Sequence, residues 1–147
     1  MSTPRRHVPV PTQETAPFWE GCRAGELLVQ RCRACGDAQL YPRALCARCG
    51  GRELAWERAS GRGTLRSWSI VRRGVNAAYD AAGPYVLVLV ELEEGPMLMS
   101  TLADVQVGPG LDAVEGVAIG AELEVAFEAW EEGATVPRFR LAGPGAP

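Results

Sequence analysis

No lysine occurs anywhere in the 147-residue chain, and His7 is its only histidine. The first absence excludes Schiff-base chemistry on this polypeptide. The second argues against a Ser-His-Asp or Cys-His catalytic unit, because His7 stands alone in a proline-rich segment. A glycine-rich phosphate loop of the strand-turn-helix kind is also missing. No apolar run is long enough to cross a bilayer, and the opening residues MSTPRRHVPVPTQETAPFWEG hold no apolar signal segment. The expected setting is therefore the cytoplasm, with no membrane partner. Groups that transform molecules are scarce.

The chain is of a size for one domain or two small ones. Its net charge of −3 hides an asymmetry. Residues 1–75 carry thirteen Arg against six acids, a balance of +7; residues 76–147 carry two Arg against twelve acids, a balance of −10. A basic front and an acidic back imply different partners for different faces.

Four of the five cysteines form two knuckles, Cys32-Arg33-Ala34-Cys35-Gly36 and Cys46-Ala47-Arg48-Cys49-Gly50, with ten residues between Cys35 and Cys46. Each CxxC turn aims two thiolates at one ion, and two such turns close a tetrahedral sulfur site, the preferred geometry of structural zinc. A closed site leaves no coordination position for water or substrate, so the expected metal is one structural zinc held by Cys32, Cys35, Cys46 and Cys49. A rubredoxin-type iron site uses the same knuckles and stands as the alternative, as does a disulfide framework in an oxidising compartment. Cys22 is left over and reads as a half-buried bystander thiol.

Along the chain, residues 1–26 read as an extended arm and a short helix. Thr15 is the expected cap, Pro17 lies in the first turn and Gly25 is the stop. Phe18 and Trp19 either staple this helix onto the ribbon or anchor another protein. Residues 27–60 read as that zinc ribbon, with strands at 27–31, 39–42 and 53–58 and a core too small to hold without metal. Gly61 and Gly63 mark a hinge. Residues 61–142 then give strands at 64–72, 84–92, 97–102, 122–130 and 136–141, a loop at 75–83, and a glycine-rich crossing at 105–120 with one helical turn near 112–116. Five strands with a break between the third and fourth suggest an OB-type barrel. The last residues, 143–147, read as a disordered tail. The fold class is thus mainly β: an arm and short helix, a rubredoxin-like zinc ribbon, then a five-stranded OB barrel. In the second barrel strand Val86, Val88, Val90 and Leu92 share one face, while Tyr85, Leu87 and Leu89 share the other. A small barrel exposes one face, so that apolar face needs a cover, either from the ribbon and arm or from another chain.

The order Phe18-Trp19-Glu20-Gly21, Gly25-Glu26-Leu27, Cys32-x-x-Cys35-Gly36, Tyr41-Pro42-Arg43, Cys46-x-x-Cys49-Gly50 resembles the zinc-ribbon half of the acyl-CoA-associated OB-fold family, domain of unknown function 35. Gly63-Thr64-Leu65, Pro84-Tyr85-Val86, Glu91 to Gly95 and Gly120 to Val125 continue the resemblance through the barrel. It implies an accessory subunit of thiolase-superfamily enzymes, including thiolases, acetyltransferases and retro-aldolases of steroid side-chain breakdown, some members being paired with hot-dog-fold hydratases. In such assemblies the partner supplies the reacting groups, and this chain holds the complex together and helps shape the acyl-CoA entrance. The crossing at 105–120, with Gly108-Pro109-Gly110, departs from the family pattern.

The expected function is therefore a non-catalytic accessory subunit in a heteromeric acyl-CoA complex, with no activity of its own. Arg72 and Arg73 are the candidates for coenzyme A phosphates, set against a solvated loop. Phe18, Trp19, Tyr85, Leu87 and Leu89 are the candidate partner interface. Glu91, Glu93 and Glu94 read as solvated turn charges. The competing reading is a single-stranded nucleic-acid module in which Trp68 and Tyr85 stack bases. The acidic barrel half and the missing lysine argue against it.

Overall fold

The computed structural model describes residues 4–110 and 114–143. A turn in which Thr12 N–H donates to Thr15 Oγ1 leads into helix α1, Ala16–Arg23. Thr15 is the boundary residue but makes no side-chain bond to the helix, because its hydroxyl is taken by that preceding turn. The helix stops as its composition predicts. Gly25 takes φ +76°, its N–H reaches Cys22 O (3.1 Å), and Glu26 N–H reaches Gly21 O (2.8 Å), a pair of bonds that closes the last turn.

The ribbon is a three-stranded antiparallel sheet in the order β2-β1-β3, with β1 Leu28–Cys32, β2 Ala38–Gln39 and β3 Leu54–Arg58. β2 is shorter than the expected 39–42. Pro42 has no N–H for a ladder, and both main-chain polar groups of Arg43 bond to the Gln30 side chain instead.

The barrel strands are β4 Arg62–Val71, β5 Tyr85–Leu92, β6 Met97–Thr101, β7 Glu122–Ala129 and β8 Thr135–Leu141, in the order β6-β5-β4-β7-β8. A parallel bridge between Leu102 and Phe139 brings the two edges together, so the five strands nearly close. β4 reaches both β5 and β7, with a shift in register between Leu65 and Ser67. That irregularity turns one long strand around the barrel corner. The expected loop at 75–83 contains one helical turn, α2 Ala77–Asp80, begun by Asn76, whose side chain accepts from Ala78 N–H at 2.9 Å. Of the helical turn expected near 112–116, residues 112–113 lie outside the described residues, and Glu115-Gly116 form a turn rather than a helix. Of the tail, 144–147 likewise lie outside them.

The core runs through both halves. Phe18 and Cys22 of α1, Leu27, Val29 and Leu40 of the ribbon, and Leu65, Val88 and Phe139 of the barrel belong to one buried cluster. The junction is not loose: Gly61 and Gly63 are buried, and a Cβ on Gly63 would lie 2.6 Å from Glu91 O. Glycine here serves the close approach of β4 to β5 rather than a hinge.

Candidate metal centre and the groove beside it

Both knuckles are built the same way. Cys32 O accepts from Gly36 N–H at 2.8 Å, and Cys46 O accepts from Gly50 N–H at 2.9 Å. Gly36 and Gly50 sit at φ +77° and +75°, a backbone that a side chain disfavours, which is why each CxxC is followed by glycine. Cys32 N–H to Asp37 O and Cys46 N–H to Gly51 O complete each turn. The result brings all four Sγ atoms within 4.8 Å of one another. Cys32 Sγ and Cys49 Sγ are 3.7 Å apart, as are Cys35 Sγ and Cys46 Sγ. A tetrahedron of thiolates at a metal–sulfur distance of ~2.3 Å has edges of about 3.8 Å, so the donor set fits one ion and is far too open for disulfides. Cys32 and Cys46 are buried, and Cys35 and Cys49 face outward. The Cys46 thiol is brought down to about 7 by the backbone N–H of Cys49, then that of Arg48. The four expected ligands are thus together, and Cys22 is not among them. That residue is fully rather than half buried, on the α1 face packed into the core, and burial pushes its thiol up to about 11 despite an opposing backbone hydrogen bond.

Beside the ribbon lies an open groove of about 530 Å³. Phe18 and Trp19, Leu40 to Pro42, Tyr85 and Leu87, and Trp130, Val136 and Pro137 line it. The Phe18-Trp19 pair therefore divides its work. Phe18 is in the core, while Trp19, edge-on to it at 5.0 Å, is half-buried in the groove wall. Tyr85 and Leu87 face the groove, so part of the outer face of β5 lines it together with residues of α1 and the ribbon. Leu89 lies off it, opposite the exposed Met99. The groove's two arginines share its one carboxylate. Arg138 Nη1 meets Glu128 at 2.9 Å, and Arg6 lies over the Trp130 ring at 5.0 Å with Glu128 at 3.5 Å. The sequence reads as an extended arm here, without a contact for Arg6. What it missed is the contact of Arg6 with the distant Trp130, which only the fold creates.

The other expected residues are dispersed. Arg72, at the end of β4, donates to the carbonyls of Gly108 (3.2 Å) and Gly110, and Arg73 is exposed. The three carboxylates at the end of β5 and in the turn after it each have a separate partner: Arg66 for Glu91, Arg62 for Glu93, and Ser60 N–H for Glu94. They form no acid-base cluster. Trp68 pairs across the sheet with Val88, whose side chain is buried, whereas Tyr85 is on the opposite face. The two rings share no stacking surface.

A four-cysteine ribbon feeding a five-stranded OB barrel defines the class of protein. Residues 19–55 match the family described as ChsH2, rubredoxin-like zinc ribbon domain, and residues 56–128 match ChsH2, C-terminal OB-fold domain. The chain belongs to this ChsH2/DUF35 family. A DUF35 domain-containing scaffold protein of Methanothermobacter thermautotrophicus is 33% identical over 66% of this chain and 68% of its own. A probable enoyl-CoA hydratase alpha subunit of Thermomonospora curvata is 30% identical over 92% of this chain, which spans only 40% of that protein. The solved structure of an Ltp2-ChsH2(DUF35) aldolase contains a chain that superposes with a TM-score of 0.73 at 29% identity, covering 90% of this chain and 98% of that one. No helix among the described residues is long and apolar enough to cross a membrane.

Proposed function

We propose that this chain is a non-catalytic accessory subunit that binds and stabilises a thiolase-superfamily acyl-CoA enzyme in the cytoplasm. The partner is a retro-aldolase or thiolase of steroid side-chain or related acyl-CoA breakdown. A hot-dog-fold hydratase is the other partner in keeping with the hydratase name of the Thermomonospora relative. One observation carries the reading. The only clustered reactive donors among the described residues are four thiols that close on a single ion, which we assign as structural zinc. The groove, by contrast, holds no cysteine or histidine, and its one carboxylate, Glu128, is bound to Arg138. A chain so equipped has surface to offer and no chemistry of its own. The Ltp2-ChsH2 name of the structural relative supports an aldolase partner.

Trp19, Tyr85 and Leu87, with Phe18 behind them and Leu89 alongside, are the proposed partner surface. Arg72 and Arg73 are proposed to meet coenzyme A phosphates in the assembled complex, Arg72 by exchanging its carbonyl partners for phosphate oxygens. Co-expression with a thiolase-superfamily protein from the same cell tests this. The expected outcome is a stable complex with acyl-CoA activity that neither chain has alone. A partner that works equally well without this chain overturns it.

A further inference from the structure

Gln30 is the one buried polar side chain, thiols aside, among the described residues, at 6% exposure. It sits in β1 two residues before Cys32, directly opposite Gln39 of β2. Both ends of its carboxamide are bonded. Oε1 accepts from Arg43 N–H (3.0 Å) and from Gln39 Nε2 (2.8 Å), and Nε2 donates to Arg43 O (3.1 Å). Gln39 continues the chain of bonds. Its Nε2 also donates to Leu45 O (3.3 Å), and its Oε1 accepts from Ala47 N–H (2.9 Å).

The segment from Leu40 to Leu45 has no helix or strand, yet it must deliver Cys46 to the other knuckle. Main-chain polar groups without a ladder need other partners. Here the partners are two side chains from the hairpin that carries the first knuckle. Leu45 O and Ala47 N–H are the groups on either side of Cys46, so the clamp fixes the main chain on both flanks of a metal ligand. We infer that Gln30 and Gln39 are positioning residues of the metal centre, holding Cys46 against the first knuckle. This goes beyond the accessory role and does not depend on any partner.

The test uses the full chain with Gln30→Met, Gln39→Met and the double substitution, which keep side-chain length and remove the carboxamide bonds. Val29→Ala serves as the control, since it hollows the same strand and breaks none of these bonds. Zinc affinity is read by chelator competition, site geometry by the thiolate-to-metal and ligand-field bands of the cobalt-loaded protein, and stability by thermal unfolding. Groups that orient metal ligands typically change affinity by about 10–100-fold. The Gln variants should lose zinc affinity in that range beyond what Val29→Ala loses at equal loss of stability, with altered cobalt bands. The double variant should cost little more than either single one, because the two act as a unit. Affinity that merely tracks thermal stability across all four variants, with unchanged cobalt bands, overturns the inference. If Gln30→Met does not fold, half-buried Gln39→Met carries the same comparison.

Discussion

At the scale of the residue, conformations that only certain side chains tolerate locate the metal site. The glycine after each knuckle and the two thiols before it are a local code that the backbone dihedrals obey. Replacing Cys35 or Cys49 by Ser should release the metal and unfold the ribbon. Structural zinc contributes on the order of 10 kcal/mol to small modules, so a variant that retains one ion per chain in metal analysis contradicts the ligand assignment. Gly21 is a different case. A Cβ there would lie 2.8 Å from Leu28 Cγ and 2.9 Å from Glu26 O, where α1 presses on β1. Gly21→Ala should therefore destabilise the chain by about 1–3 kcal/mol, the usual range for overpacking. Denaturant unfolding checks it, and an unchanged midpoint argues against the close approach. Gly21 was visible in the sequence only as part of a family-like run of residues. Its steric reason needed the strand it touches.

Elements are where periodicity succeeded and irregular chain did not. The alternation of β5 separated its two faces, and the structure buries the one made by Val86, Val88, Val90 and Leu92. β2 came out short because a side-chain clamp competes for its backbone. α2 escaped notice because one turn is too brief for a period to register, although Asn76 gave a usable start signal. Phe139 of β8, fully buried and bridged to Leu102, is the stitch that brings the barrel edges together. Phe139→Ala should cost about 3–5 kcal/mol, read as a loss of thermal stability. The second knuckle also predicts a pH dependence. Metal binding requires thiolates, and the Cys46 thiol lies near 7, below its usual value of 9.0. Above that pH Cys46 itself arrives deprotonated, while Cys35, pushed up to about 12, still gives up its proton on binding; below it, binding must displace a proton from Cys46 as well. Apparent zinc affinity should fall as pH drops from about 7 towards 5, measured by chelator competition at fixed ionic strength. An affinity that rises in acid contradicts the ligand set.

For the whole molecule, the basic front and acidic back of the sequence do not become two isolated charged lobes. Arg6 meets Glu128, Arg62 meets Glu93 and Arg66 meets Glu91, so the front half partners the back half across the fold. Such exposed pairs are each worth about 0–1 kcal/mol, too little to hold the fold, but they remove much of the unpaired charge the sequence appeared to offer a partner. The arm follows the same logic. Arg6 stacks on Trp130, and its N–H donates to Glu132 Oε1 at 3.1 Å. Its contacts are superficial, whereas the Thr12–Thr15 turn leads directly into α1. Deleting residues 1–11 should leave thermal stability within about 1 kcal/mol of the full chain and the metal in place. The groove should open at the Trp130 end, seen as a change in tryptophan emission. Loss of metal on truncation would make the arm part of the fold.

The sequence alone determined the ligand set, the strand count and the order of ribbon and barrel, because these rest on short-range facts: knuckle spacing, positive-φ glycines and period-two alternation. Tertiary structure decided the rest. It put Phe18 into a core shared by both halves, set Trp19 beside Tyr85 and Leu87 in one groove, drew Arg72 onto the Gly108 carbonyl, and tied Cys46 to β1 through two glutamines. These contacts join residues far apart in the chain, and no local pattern encodes which distant side chain will be the neighbour.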